Sequence, residues 1–453
     1  NEACTILMCV LNLKKDYGMP TKKSKHKWEF TSFLKSGIYK WNGSALASRH
    51  FNSAINEIWD VSEHDSATAA KGAVIFIEKC YRAIKNIDSS NGAIGGAVNN
   101  ALTELTTIIA QAELSPDERM ELTEKIWATW RCEGYGYYDI LGELWPKMCA
   151  VKEVLNYWAD KFLPVTKQTL TSTDTGLDDY DDEEEEDDDE EDETEEKDDD
   201  LEGKGSRICF ACLFEAGRYD EILDLLRIST RNYFDYKKYE IKVIAAKGDI
   251  DQAIKMLDEC MKNSYVSPYQ AAYLGENLLL SNGRIEEAYQ RYAFNMPFSR
   301  TGLATFSSIC KKYPQISPQR ILKDLIDYDE GNEKRYFAAA RKIGMIDLAI
   351  EIAEKYDVEP KTLTTACKDY IAKEPNLSLQ FGLMALERYA NGFGYEPEFG
   401  DIRKCYELIL IAAQKAGKEK EIAEQIKFFV DNDNSKNHIL TLAVNFEAKY
   451  NII

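Results

Sequence analysis

Histidine is scarce in this sequence. The four in 453 residues, His26, His50, His64 and His438, stand far apart. No motif sets one of them beside a nucleophile or an orienting carboxylate, so no catalytic triad is legible. No apolar run reaches the roughly 18 to 20 residues that a membrane-spanning helix needs. The apolar stretch from Ala3 to Leu13 has no basic segment before it and no small-residue cleavage site after it, which argues against a secretory leader. The alternating β-branched pattern of strands is missing. The eleven cysteines follow no framework spacing. They read as reduced thiols of a cytoplasmic protein, most of them packed as small hydrophobes.

What the chain has in excess is negative charge, and that charge is local. Of the 25 positions from Asp178 to Glu202, all but Tyr180, Thr194, Lys197 and Leu201 are acidic, a net of -20 within a chain total of -22. The rest of the protein is nearly neutral, so the low isoelectric point says little about what its folded surface binds. Pro164, a Thr-rich run and this tract give residues 163–205 a composition that cannot bury enough apolar surface to offset ordering, which predicts a disordered acidic linker.

On either side of the tract the periodicity is helical. Ala54, Ile55, Ile58 and Trp59, and then Ala73, Val74, Ile77, Cys80, Tyr81 and Ile84, recur at helical spacing. Gly92, Gly95 and Gly96 predict a turn, after which Leu102, Leu105, Ile108 and Ile109 form the next stripe. Ser115, Pro116 and Glu118 form a capping signal for another helix, and Pro146 marks a further start. Before residue 45 the pattern is unclear: Thr5 to Leu11 reads as a short strand or a helix end.

The most specific signal is a repeated phrase: Gly, any residue, an apolar or aromatic residue, usually an acid, any residue, then Ala or Ile. It occurs at Gly217–Ile222, Gly248–Ala253, Gly283–Ala288 and Gly344–Ala349, with a degenerate copy at Gly417–Ile422. The first intervals are 31 and 35 residues; the later ones, 61 and 73, are close to double periods and predict a degenerate repeat inside each. A glycine in the left-handed conformation would end one helix, and an acid would meet the positive end of the next. A period in the low thirties marks arrays of helix pairs that bury their apolar faces by stacking.

This phrase, with the helical segment 234–246 before its second copy, resembles degenerate tetratricopeptide repeats over roughly Arg207 to Ile453. The half from about Ala45 to Leu170, with its loop at 88–96 and its turn at 127–138, resembles a bacterial helical domain of unknown function that some relatives carry downstream of a SWIM-type zinc finger. The Cys-x-Cys and Cys-x-His pattern of that finger is absent here, so neither zinc nor nucleic-acid binding is implied. The expected architecture is all-α: an N-terminal segment to residue 44, a helical domain over 45–162, the linker over 163–205 and a tetratricopeptide-like α-solenoid over 206–453.

Candidate sites are few. Cys209 and Cys212 form a Cys-x-x-Cys without a second pair or a nearby histidine, and Phe210, Leu213 and Phe214 place them on a helix, which favours core packing. The loop at 92–96 lacks the Gly-Lys-Ser/Thr ending of a phosphate-binding loop. Arg231, Tyr233 and Tyr236 are the candidate partner-binding residues, because Tyr and Arg anchor interfaces. Phe234 among them reads as core. Lys22, Lys23, Lys25 and Lys27 beside Trp28 form a basic arm that is either solvated, in contact with the acidic tract, or bound to nucleic acid. The expectation is a protein-binding scaffold without catalysis, cofactor or metal. The alternative is a nucleic-acid-associated regulator or bacterial defence component, whose binding would strengthen on deletion of 178–202.

Overall fold

The computed structural model describes residues 26–35, 39, 43–85, 93–172, 196–230, 233–262, 266–295, 298–395, 397–435 and 438–450, with the backbone alone for 196–202 and 446–450. Of the described residues 77% are helical and none lies in a strand. The all-α expectation holds. The strand-or-helix segment Thr5 to Leu11 and the greater part of the acidic tract, 178–195, lie outside the described residues. The helices fall into two compact units, Asn1–Lys262 and Asn263–Ile453.

In the first unit a short 3-10 helix, Glu29–Ser32, precedes α1 (Ser44–Ser62), α2 (Ser66–Ile84), α3 (Ala93–Gln111), α4 (Pro116–Trp130), α5 (Leu141–Cys149), α6 (Lys152–Thr171), α7 (Glu196–Glu215), α8 (Tyr219–Ile228), α9 (Phe234–Ala246) and α10 (Ile250–Met261). The buried faces of α1 to α3 meet around Phe51, Phe76, Ile77, Leu102 and Leu105. Trp28 reaches this core by filling the space of the side chain that Gly72 lacks: a Cβ there would lie 2.2 Å from the indole. From α4 to α6 the core is aromatic. Trp145 meets Trp158 edge-on at 4.8 Å, and Trp127 meets Phe162 at 4.8 Å. Such contacts favour fixed ring geometry over a sliding apolar layer.

The capping signal at Ser115 is a complete capping box: its hydroxyl accepts the Glu118 N–H, and the Glu118 carboxylate accepts the Ser115 N–H. Three punctuation signals are overridden. Gly95 and Gly96 lie in the first turns of α3, which starts at Ala93 because Ile94 and Val98 are buried on its inner face. Pro146 sits inside α5 and Pro164 inside α6. Each removes one helical hydrogen bond. Burial of Trp145 and Met148 around the first proline, and of Phe162, Thr166 and Leu170 around the second, holds both helices together.

The expected linker over 163–205 is therefore shorter in its ordered flanks. Residues 163–171 complete α6, and residues 196–205 open α7. Helices α6 and α7 pack antiparallel. A Cβ at Gly205 would lie 2.8 Å from the Phe162 ring, and the Cys209 thiol faces the Ala159 carbonyl at 3.5 Å. This packing keeps the first two copies of the glycine phrase in the same compact unit as α1 to α6, rather than with the later copies.

The second unit contains α11 (Pro268–Ser281), α12 (Ile285–Tyr292), α13 (Gly302–Lys312), α14 (Pro318–Tyr328), a 3-10 turn (Glu333–Tyr336) leading into α15 (Phe337–Lys342), α16 (Ile346–Lys355), α17 (Pro360–Tyr370), α18 (Pro375–Ala390), α19 (Phe399–Ala416), α20 (Glu419–Asp431) and α21 (Ile439–Tyr450). The pairs α13–α14 and α17–α18 fall inside the two long intervals of the phrase, where its glycine is missing.

The phrase has one structure in all five copies. Gly217, Gly248, Gly283, Gly344 and Gly417 have φ of 77°, 99°, 73°, 77° and 66°. After each glycine, the next N–H reaches back five residues to a helix carbonyl: Arg218 to Leu213, Asp249 to Ile244, Arg284 to Leu279, Met345 to Ala340 and Lys418 to Ala413, at 2.9 to 3.2 Å. This six-to-one bond defines a Schellman stop. Two copies share a further device, in which the residue after glycine is an arginine that pairs with the glutamate three places on, Arg218 with Glu221 and Arg284 with Glu287. The closing Ile222, Ala253, Ala288, Ala349 and Ile422 are all buried.

Candidate partner-binding surfaces

The aromatic group on α9 divides between core and surface. Tyr233, at the N-cap of α9, is 50% exposed. Tyr236 is only 7% exposed, because its ring stacks on Phe210 of α7 at 5.2 Å while Tyr239 stacks on the same ring at 5.4 Å. Phe234 is buried, as core packing requires. Arg231 lies outside the described residues. A recognition surface built from Arg231, Tyr233 and Tyr236 together is thus corrected: Tyr236 is a packing residue, and Tyr233 is the tyrosine of the pair on the surface.

Of the charges beside this cluster, Lys237 and Lys238 are legible in the sequence as part of it, whereas Lys242 and Arg207 are not. Lys238 and Lys242 lie one turn apart on α9. The Lys238 ammonium is shared by Asp235 at 3.0 Å and by Glu143 of α5 at 3.1 Å. Arg207 of α7 pairs with Asp139 at 3.3 Å and Asp235 at 3.7 Å. Lys242 differs: no carboxylate among the described residues lies within ion-pair distance of it. Its ammonium sits 4.9 Å from the centre of the Tyr239 ring and 5.7 Å from that of Phe214. Burial, and then the charge of Lys238, hold its pKa below the usual lysine range against the weaker pull of Glu143 and Glu215. The side chain remains half-buried, and so within reach of solvent.

In the second unit, α11 carries an exposed aromatic stripe. Tyr269 and Tyr273 are 52% and 51% exposed, and with Asn277 they recur every fourth residue along the side opposite Ala271, Ala272 and Leu279. Glu276, on the same helix, is fully buried, with its carboxylate held by the Lys312 ammonium and the Tyr313 hydroxyl at the end of α13. Tyr313 in turn meets Tyr289 edge-on at 5.3 Å, and the Tyr289 hydroxyl donates to Asp324 at 2.8 Å. This chain of partners fixes α11 against α13, and α12 against α14. The aromatic stripe is carried on a rigid backbone.

The remaining candidates have structural roles. Cys209 and Cys212 are fully buried in α7, and burial pushes the Cys209 thiol up to about 12, as for a small packing side chain. No group of three His, Cys, Asp or Glu residues among the described ones is placed to hold a metal ion. His50 accepts or donates a hydrogen bond with Tyr39 at 3.0 Å and packs on Phe33. Lys22, Lys23 and Lys25 of the basic arm lie outside the described residues; Lys27 is exposed, next to the buried Trp28. No described helix is long and apolar enough to cross a membrane. Neither a protein-family model, nor a curated protein, nor a solved structure matches the chain.

Proposed function

We propose that this chain is a non-catalytic, cytoplasmic protein-binding scaffold whose helix pairs are tetratricopeptide-like and stack as an α-solenoid. The observation that carries the reading is the five-fold recurrence of one Schellman stop followed by a helix with a buried Ala or Ile. A chain that spends its most regular feature on joining helix pairs builds extended surface, and stacked pairs present their first helices on one face, where extended partners lie. Helix α11 is a first helix, and Tyr269 and Tyr273 are its exposed aromatics. Large amphipathic side chains held on a rigid helix bury much area at little entropic cost.

The test is to capture binding partners with the tagged full-length chain and with a Tyr269→Ala/Tyr273→Ala variant, both from the native host. A protein retained by the first and lost from the second, at unchanged Tm, is the expected result. Identical captures by both chains would remove α11 from the binding face, and turnover of a substrate without any captured protein would remove the scaffold reading altogether.

A further inference from the structure

Among the described residues, Lys242 is the lysine of its cluster that has no carboxylate within ion-pair distance. Lys238, one turn before it on α9, already holds Glu143 and Asp235, and Arg207 holds Asp139 and Asp235. Two ring faces, Tyr239 and Phe214, replace water on one side of the Lys242 ammonium, and they compensate a lost hydration shell only in part. A charge held in this way costs the folded state, yet it stays open to solvent on its other side. The site is built on α7 and α9, the first helices of the two pairs stopped at Gly217 and Gly248.

We propose that Lys242, on its Tyr239 and Phe214 platform, is the anchoring point for an acidic segment of a partner protein, whose carboxylate supplies the missing counter-charge. This inference rests on the scaffold reading and names the chemistry of the partner. The platform excludes water from one face of the pair, so an arriving carboxylate meets a stronger field than at an exposed lysine. Lys238, one turn away on α9, can exchange its exposed partner Glu143 for a ligand carboxylate. The competing occupant is the chain's own acidic tract, which joins α7 at Glu196, roughly 27 Å along the helix from Phe214 at 1.5 Å of rise per residue, and the test separates the two.

The probe is a labelled synthetic peptide with the sequence of residues 181–192, added in trans to the full-length chain. Binding is expected, weakening with salt, and Lys242→Met is expected to loosen it at least tenfold while Lys242→Arg restores most of it. Methionine keeps the contact with both rings, so the Tm of Lys242→Met should be unchanged or higher. Three results would overturn the proposal: no binding; equal binding by Lys242→Met; or binding that appears only when the acids of 181–192 in the chain itself are replaced by amides, which would make its own tract the occupant. If the peptide fails while Tyr269 and Tyr273 still govern partner capture, the acidic-partner inference falls and the scaffold reading stands.

Discussion

Arginine 119 shows how one residue can hold the ends of two helices. Its guanidinium is buried in α4 and donates to the carbonyls of Ile109 at 2.8 Å, Ala112 at 2.7 Å and Met148 at 2.9 Å. Ile109 lies in the last turn of α3, Ala112 just after it and Met148 in the last turn of α5, where helix carbonyls run short of intrahelical partners; the Ile109 carbonyl also takes the Ala112 N–H at 3.4 Å. Burial lowers its pKa, but a guanidinium remains charged, and charge-assisted bonds to the negative ends of two helices are its compensation. Arg388 repeats the device in the second unit, on the carbonyls of Ala353, Tyr356 and Val358. Arg119→Leu keeps the apolar bulk but takes the charged donor away from three buried acceptors. A loss of about 3 kcal/mol is expected, at the lower end of the sum of such penalties because water and relaxation recover part of it. Urea unfolding of the two chains measures it directly, and a loss under 1 kcal/mol would show that water reaches the three carbonyls.

At the scale of elements, what the sequence made legible were the stops rather than the lengths of helices. Gly217, Gly248, Gly283 and Gly344 could be read because a positive φ is costly for any residue with a Cβ, so the glycine is a direct imprint of the backbone. Gly392 makes the same stop, with φ of 78° and the Phe393 N–H on the Arg388 carbonyl, but no helix-opening phrase follows it, and it went unread. Pro146 and Pro164 misled because the penalty of a proline is local, whereas the burial that outweighs it is set by helices distant in sequence. Tyr236 misled for a related reason: helical spacing places it on a face but does not say which face α7 covers. Lys242 left no trace at all, since lacking a counter-charge is a property of three dimensions. The phrase glycines allow a clean test. A Cβ at Gly248 meets nothing within 4 Å, so Gly248→Ala should cost only the left-handed backbone, about 1 to 2 kcal/mol. Gly302→Ala, whose Cβ would lie 2.3 Å from the Arg335 carbonyl oxygen, should cost more even though its φ is helical. Thermal unfolding of both variants ranks them, and the reverse order would mean that the Schellman stops carry more stability than their backbone strain alone.

For the whole molecule, the decisive property is how unevenly charge is divided. The tract from 178 to 202 holds nearly all of the -22, which leaves a body close to neutral. A nucleic-acid reading therefore rests on Lys22, Lys23, Lys25 and Lys27, and the structure narrows even that, because Trp28, the aromatic next to them, is committed to the core against Gly72. Four lysines neutralise about four phosphates at most, so the slope of log affinity against log salt could not be steeper than about -3.6, and affinity would fall roughly a hundredfold between 50 and 200 mM salt. The tract would suppress such binding by competing for the same lysines. Since α7 begins at Glu196, its acids from 178 to 195 can be changed to amides without touching a described helix, whereas deleting 178–202 would remove the first two turns of α7. Under the scaffold reading, the amide chain retains no duplex DNA at 150 mM salt and still binds its protein partner. The measurement is a salt series of fluorescence-anisotropy titrations with both chains. Tight DNA binding by the amide chain, with a slope near -3.6, would return the basic arm to the centre of the protein's function; a steeper slope would require a basic surface larger than the four lysines provide.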